Sequence, residues 1–235
     1  MKTIKLSENI LLFTFKTQKE LALTFFRVQE YYESPYAKLH GKEFSVFDFL
    51  NTMMNEKGEI DYFAKWCGFN IPGSVINDWV ESQQDFDNLS ISHLTHAERN
   101  LCVEIYKNIS SKNEFYVIGA LEKDSSTIDH EIAHALYSLN DEYRENMENL
   151  NRKFRKEFPK IYNSMSSHLK KMQYRSEVIK DEIQAYLSSE SKKYLGEEFD
   201  FDWNAKSKNK KSYKFNDLRI EYRKTLRKYN TFKWQ

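Results

Sequence analysis

The sequence has few of the residues that interrupt regular structure, and it has little cysteine. Only 6 glycines and 3 prolines occur among 235 residues. So few chain breakers favour long helices over a β-sandwich with many turns. The only two cysteines, Cys67 and Cys102, are too few for a disulfide framework. We therefore expect a mostly helical chain with reduced thiols.

Long apolar segments and an excess of one charge are also missing. No run approaches the length of a membrane span, and the apolar run from Ile10 to Phe15 is too short for a signal-peptide core. The 36 basic and 35 acidic residues give a formal net charge of +1, which provides no general attraction to nucleic acid or membranes. We expect a soluble cytoplasmic protein with neither partner, although export without a cleaved signal would leave the same pattern.

Aromatic residues, in contrast, make up 15% of the chain. Disordered chains have few aromatics, so this one should fold. Residues 114–121, EFYVIGAL, are the best candidate for a strand, and helical periodicity dominates elsewhere. The pattern predicts an α+β protein, mostly helical with a small sheet. Two parts are expected, an aromatic-rich and mainly helical region at 1–110 and a catalytic region at 111–235, unless they form one continuous domain.

Capping patterns predict where several helices begin. Ser45 predicts a cap for a helix at 45–54, and the pair Thr95–Glu98 predicts one for a helix at 95–109. The pair Ser126–Asp129 predicts a cap for the helix that follows strand 114–121. Residues 61–80 place large aromatics around a glycine and a Pro-Gly, which indicates two short helices around a turn. A long helical tract at about 142–172 is predicted to be broken once, at Pro159. Residues 176–195 are predicted to form one helix.

The stretch DHEIAHALYSLN, residues 129–140, contains the pattern HExxH at His130, Glu131 and His134. Positions i and i+4 of a helix lie on one face, about one turn apart, so both imidazoles can reach one metal ion. Glu131 is rotated by about 100° and can lie beside a metal-bound water without ligating the metal. Zinc lowers the pKa of such a water toward about 7, and a nearby carboxylate can accept its proton.

The alternative is a surface helix whose histidines only titrate. Apolar residues cover most of the helix circumference, which is typical of a buried helix. Burying two histidines and a glutamate without partners would cost several kcal/mol, and a metal ion would satisfy all three. The sequence therefore predicts one zinc ion per chain. The apolar residues are Ile128, Ile132, Ala133, Ala135, Leu136 and Leu139.

A catalytic zinc normally has three protein ligands, so a third must lie elsewhere in the chain. The pattern HExxHxxGxxH is excluded, because Tyr137 and Asn140 occupy its glycine and third histidine positions. In SEVIKDEIQAYL, Glu182 lies inside an apolar stripe, and a carboxylate in the core needs a partner. Glu182 is therefore the predicted third ligand. The alternatives are Asp141, Glu142 and His168.

The two motifs, Asp129–Tyr137 and Asp181–Tyr186, resemble those of the zincin metallopeptidases, in the gluzincin arrangement of thermolysin-like enzymes. The resemblance does not extend to residues 1–110. It implies a zincin-like catalytic region in which HExxH and the later glutamate share one metal. The implied roles are zinc ligands for His130, His134 and Glu182, and general base and acid for Glu131.

One position departs from the family pattern. Thermolysin-like enzymes have an acidic residue four positions after the third-ligand glutamate, and it orients a ligand histidine. Tyr186 stands at that position here, so another carboxylate must orient the histidine. Asp129 and Asp181 are the candidates.

The resemblance also implies a position for the substrate. In zincins an edge strand precedes the motif helix, and the substrate lies beside it as an added antiparallel strand. Strand 115–121 would be that edge strand, with Gly119 and Ala120 in contact with substrate, because glycine permits close approach of another backbone. The alternative is a central strand with a packing glycine.

A zincin also needs a donor for the oxyanion of the tetrahedral intermediate. Tyr186, one turn after Glu182 on the same face, is the first candidate. It is therefore assigned a catalytic role beside Glu131. Other candidates are Tyr137, Tyr143, His168 and Arg175.

These residues together predict a zinc-dependent metalloendopeptidase with a protein or peptide substrate. Water attacks a peptide carbonyl, and Glu131 takes its proton and later gives it to the leaving amine. Two alternatives stay open. One is a catalytically silent protein-binding module that retains a zincin fold, and the other is a zinc hydrolase of a non-peptide amide. The sequence defines no oligomeric state.

Overall fold

The chain forms two compact units in the computed structural model. The first contains Met1–Asp124 and Phe232–Gln235, and the second contains Ser125–Thr231. The predicted boundary at 110–111 precedes the strand EFYVIGAL, whereas the observed boundary follows it. The fold is α+β, mostly helical with one small sheet, as predicted. The residues described are 1–54, 57–83, 94–111, 114–201 and 211–232, with only the backbone given for 211–214.

The first unit contains a sheet of four strands, which are β1 (Lys2–Lys5), β2 (Ile10–Phe15), β3 (Gly68–Pro72) and β4 (Tyr116–Leu121). They lie in the order β1-β2-β4-β3. Strand β2 runs parallel to β4, and the pairs β1–β2 and β3–β4 are antiparallel. All six residues of β2 are buried, in agreement with a sequence that is apolar except for Thr14.

Strand β4 is an interior strand, so the prediction of an edge strand before the HExxH helix is wrong. Gly119 is paired with Phe13 on one side and with Phe69 on the other, and Ala120 likewise has a partner on each side. A Cβ on Gly119 would lie 2.5 Å from the ring of Phe25, so the glycine makes room for packing. The strand therefore offers no free edge for a substrate at Gly119 and Ala120.

The helices of the first unit begin largely where the capping patterns predicted. Ser45 and Thr95 both form capping boxes, with Asp48 and Glu98 as the reciprocal partners. Residues 61–80 contain strand β3 between their two helices, which the sequence did not predict. The helices are α1 (Gln18–Glu33), α2 (Val46–Met53), α3 (Tyr62–Lys65), α4 (Gly73–Ser82) and α5 (His96–Asn108).

The second unit consists of helices among its described residues. Pro159 begins a new helix and so breaks the tract at 142–172, as predicted. The predicted helix at 176–195 is two helices, because Glu190 ends the first and Ser191 caps the second. The helices are α6 (Ser125–Leu139), α7 (Asp141–Glu157), α8 (Pro159–Lys171), α9 (Ile179–Ser189), α10 (Lys192–Phe199) and α11 (Lys211–Tyr229).

Helices α6 and α9 pack against each other, and α9 also packs against α11. The predicted cap at Ser126 is wrong, because α6 already begins at Ser125 and the Ser126 hydroxyl donates to the carboxylate of Glu190, 3.0 Å away. That bond links the start of α6 to the end of α9.

No helix in the described ranges has the length and apolar composition needed to cross a membrane.

A buried ion pair joins α1 to α5 in the first unit. The Arg27 guanidinium donates two bonds of 2.8 Å to Glu98 and one bond of 3.0 Å each to the Phe44 carbonyl and to the Gln83 side chain. Glu98 also caps its own helix by accepting from the Thr95 amide at 2.7 Å. Since Arg27 and Glu98 are both buried, removal of either charge leaves the other without compensation.

We expect Glu98→Gln to lower the free energy of unfolding by about 3–5 kcal/mol, because the charge of Arg27 remains buried. Urea unfolding followed by tryptophan fluorescence measures the change. Lys107→Gln on the same helix, which removes an exposed pair with Glu104, should cost less than about 1 kcal/mol. Equal effects of the two substitutions would contradict a structural role for the buried pair.

Candidate metal centre

The HExxH segment lies in the buried part of helix α6. His130, Glu131 and His134 are all buried, because the flanking apolar positions place most of the helix circumference in the core. The alternative of a solvent-exposed helix with titrating histidines is therefore wrong. Three ionisable groups on one helix are withdrawn from water, and each needs a polar partner.

Helix α9 supplies the third group. Glu182 is buried and faces the two imidazoles. The Nε2 atoms of His130 and His134 are 3.2 Å apart. One carboxylate oxygen of Glu182 is 3.7 Å from His130 Nε2, and the other is 3.6 Å from His134 Nε2. The structure thus brings together the three predicted zinc ligands.

These separations suit a tetrahedral metal ion. Nitrogen and oxygen ligands bind zinc at about 2.0–2.1 Å, so adjacent ligands of a tetrahedral site lie about 3.3–3.4 Å apart. The two Nε2 atoms are 3.2 Å apart, and each has a different oxygen of Glu182 at 3.6–3.7 Å, which is close to that spacing. One ligand atom from each of the three residues lies within 4.8 Å of the other two. Oε2 of Glu182 is buried and has no hydrogen-bond partner among the described residues. Two imidazoles and one carboxylate are also a donor set typical of catalytic zinc sites, so the residues fit the ion.

The electrostatics of the group show that it requires positive charge. Burial raises the pKa of Glu182 to about 7, although His134 opposes the shift. Burial alone would lower the pKa of His134, but Asp181 and Glu182 outweigh it and raise the pKa to about 10. Burial and the charge of His134 lower the pKa of His130. Without a metal, His134 holds the positive charge that the carboxylates need, and His130 is kept neutral.

Asp181 fixes the orientation of His134. Its carboxylate lies 2.9 Å from His134 Nδ1, which leaves Nε2 directed at His130 and Glu182. The side-chain amide of Gln184 donates to the other Asp181 oxygen at 2.7 Å, and the Tyr143 hydroxyl donates to the Gln184 carbonyl oxygen at 2.7 Å. A ligand histidine whose second nitrogen is bound by a carboxylate is held in one ring orientation.

Of the two candidates for this orienting role, only Asp181 contacts a motif histidine. Asp129 instead accepts a bond from the Asn230 side chain at 3.0 Å. The thermolysin-like arrangement has the orienting carboxylate four positions after the third-ligand glutamate, whereas Asp181 directly precedes Glu182. Tyr186, at the position of the family's acidic residue, packs its ring against His130 with 4.7 Å between ring centroids.

His130 has its own partners at Nδ1. The Ser189 hydroxyl lies 3.4 Å from that nitrogen, and a carboxylate oxygen of Glu190 lies 3.7 Å from it. The main-chain carbonyl of Glu190 accepts bonds from Arg219 and Arg223 of α11. The end of α9 is thereby held in place beside the ring.

Two tyrosine hydroxyls lie beside the centre, and the sequence pointed to only one of them. Tyr186 was expected, but Tyr174, in the segment between α8 and α9, was not. The two hydroxyls are hydrogen-bonded to each other. Burial raises the pKa of Tyr174 well above its usual value, and the charges of Glu182 and Glu131 raise it further, so its hydroxyl stays protonated at neutral pH. No periodic pattern surrounds Tyr174, so nothing in the sequence pointed to this residue.

Glu131 lies close to the same groups. Its charge acts on His130, His134 and Tyr174. It follows His130 by one position, and the rotation of the helix directs it away from the nitrogen atoms that face Glu182. Glu131 is therefore buried beside the three candidate ligands and is not one of them.

The alternative third ligands have other partners. His168 pairs with Glu198 at 2.8 Å, Asp141 forms an ion pair with Arg144, and Glu142 pairs with Lys228 at 3.0 Å. The remaining oxyanion candidates are also engaged. Tyr137 donates to Glu148 at 3.5 Å, Tyr143 donates to Gln184, and Arg175 lies 3.6 Å from Glu177.

Comparisons with known proteins identify no family for this chain. No protein-family model, curated protein or solved structure matches the chain. The resemblance to zincin metallopeptidases therefore depends on two short sequence motifs alone.

Proposed function

We propose that this protein is a zinc-dependent peptidase, with His130, His134 and Glu182 as the ligands of one zinc ion. One observation carries the proposal: the three buried donor groups converge at separations of 3.2–3.7 Å, while a fourth buried group, Glu131, lies beside them as a base. A structural metal site normally has four protein ligands. A group of three leaves one position for water and substrate.

In the proposed hydrolysis, the zinc ion and the residues of the chain have separate roles. When bound, zinc lowers the pKa of a coordinated water and polarises a substrate carbonyl. Glu131 accepts a proton from the attacking water as the water oxygen bonds to the carbonyl carbon. Glu131 then gives that proton to the amide nitrogen as the carbon–nitrogen bond breaks.

Tyr174 is the hydroxyl that we assign to the developing oxyanion. The carbonyl oxygen gains negative charge as water adds, and a fixed neutral donor stabilises that charge. Tyr174 is sensitive to the charges of both Glu131 and Glu182 and is hydrogen-bonded to Tyr186. Tyr186 in turn is hydrogen-bonded to Tyr194. In this arrangement Tyr186 positions Tyr174, whereas the sequence had favoured Tyr186 as the donor itself.

Two other functions are distinguished by simple measurements. A binding module with a silent zincin-like site would bind a protein without cleaving any peptide, with or without metal. A hydrolase of non-peptide amides would contain zinc and would leave an unbiased peptide library intact. The buried Glu131 beside the ligand group favours hydrolysis over binding, because a silent site has no use for a desolvated base.

The wild-type protein, purified without chelator, should contain about one zinc per chain by elemental analysis. Glu182→Gln should remove it, because an amide is a poor substitute for a carboxylate ligand. Glu177→Gln, an exposed carboxylate near the start of the same helix, should keep it. Zinc retained in the Glu182→Gln protein would show that the third ligand is another residue, and no zinc in the wild type after reconstitution would remove the metal site altogether.

Glu131→Gln should keep its zinc and lower peptide hydrolysis by about 10²–10⁴-fold, because the base is lost while the ligands stay. Cleavage of a peptide library by wild type and variant, followed by mass spectrometry, measures the effect. Metal content and circular dichroism of the variant serve as controls. A fully active Glu131→Gln protein would contradict the mechanism.

Tyr174→Phe should lower kcat by about 10²–10³-fold with little change in KM, because the hydroxyl acts only on the oxyanion. Tyr194→Phe removes a hydroxyl at the far end of the same hydrogen-bonded chain and should change kcat only slightly. Steady-state kinetics on one cleaved peptide compares the two. A larger loss in Tyr186→Phe than in Tyr174→Phe would transfer the donor role to Tyr186.

A further inference from the structure

A cationic cavity of about 280 Å³ lies along helix α11 in the second unit. Five of the seven residues described as lining it are basic, and none of the seven is acidic. The chain as a whole is almost neutral, with a net charge of +1, so the cavity is a local concentration of positive charge. The basic residues are Lys192, Arg219, Arg223, Lys224 and Arg227.

The arginines lie on one face of the helix. Arg219, Arg223 and Arg227 follow one another at intervals of four residues, which stacks their side chains along the helix. Like charges at this spacing destabilise a helix. Burial and the neighbouring charge of Arg223 lower the pKa of Arg219 to about 10. An anion in the cavity would relieve this repulsion.

Main-chain contacts hold two of these guanidinium groups in place. Arg219 and Arg223 both donate to the main-chain carbonyl of Glu190, Arg223 at 3.0 Å. Each guanidinium has five N–H donors in a fixed plane, so the bond to a carbonyl anchors the group and sets its orientation. An anchored guanidinium loses less side-chain entropy when it binds a ligand.

Carboxylates also lie near the cavity but do not line it. Glu190 interacts with Arg219, and Asp129 interacts with Arg223 and Arg227. Among the residues described as lining the cavity, five are basic and none is acidic. Proteins gather cations in this way where they bind anions, and arginine pairs especially well with the oxygen atoms of phosphate.

We propose that this cavity binds a phosphate-bearing small molecule. A volume of about 280 Å³ is at the lower limit of small-molecule pockets, which start at about 300 Å³, and suits a phosphate group attached to a sugar-sized remainder. The cavity is partly open to solvent, so the remainder of the ligand can extend out of it while the phosphate contacts the basic side chains. Phosphate binding here does not depend on whether the metal site hydrolyses peptides.

Isothermal calorimetry on the full-length protein tests the site with inorganic phosphate and with a hexose monophosphate, at constant ionic strength. The free hexose is the control ligand. The variant that combines Lys224→Gln with Arg227→Gln should bind either phosphate about 100-fold more weakly, at about tenfold for each charge-assisted contact. Both residues are exposed, so the variant should fold normally.

A charge-matched control combines Lys193→Gln with Lys228→Gln, two exposed lysines outside the cavity. It should bind phosphate within about twofold of wild type, since general screening by solvent ions leaves little long-range attraction. Equal weakening in both double variants, or no saturable binding to wild type, would overturn the site. Binding that disappears when zinc is removed would place phosphate at the metal and would also overturn it. Tighter binding of the ester than of free phosphate would show that the remainder of the ligand occupies the cavity.

Discussion

The withdrawal of His130, His134 and Glu182 from water is the constraint on which the second unit depends. Three polar groups from two helices converge in the core at hydrogen-bonding or near-hydrogen-bonding distances, and burial of such groups is unfavourable unless a positive charge compensates the carboxylate. A proton on His134 supplies that charge in part, and a divalent cation would supply it fully. Helices α6 and α9 can pack against each other with these groups buried only because a proton or a metal ion can supply the positive charge.

The surrounding helices restrict the orientation of each ring. Tyr143 of α7 donates a hydrogen bond to Gln184, and Gln184 donates one to Asp181, whose carboxylate contacts His134. Arg219 and Arg223 of α11 donate hydrogen bonds to the main-chain carbonyl of Glu190, at the end of α9. Two of the three arginines that line the cationic cavity, Arg219 and Arg223, thus also hold the end of α9 beside His130. A proposed ligand site and a proposed metal site share one structural support.

The first unit is organised around different interactions. Its sheet has β4 in the interior, and its helices α1 and α5 are joined by the buried pair of Arg27 and Glu98. Because β4 has a neighbour on each side, an extended peptide cannot add to it. Any backbone pairing with a substrate must therefore use another part of the chain, and the peptidase proposal depends on the second unit alone.

Residue patterns within single segments predicted the local features: the strand at β4, the caps at Ser45 and Thr95, the break at Pro159, and the buried HExxH helix. They also identified Glu182, because a carboxylate inside an apolar stripe needs a partner wherever the helix packs. Which side chains meet depends on tertiary packing. The neighbours of β4, the bond from Asp181 to His134, and the approach of Tyr174 all depend on contacts between segments far apart in the chain, and periodicity within one segment contains no information about its neighbours.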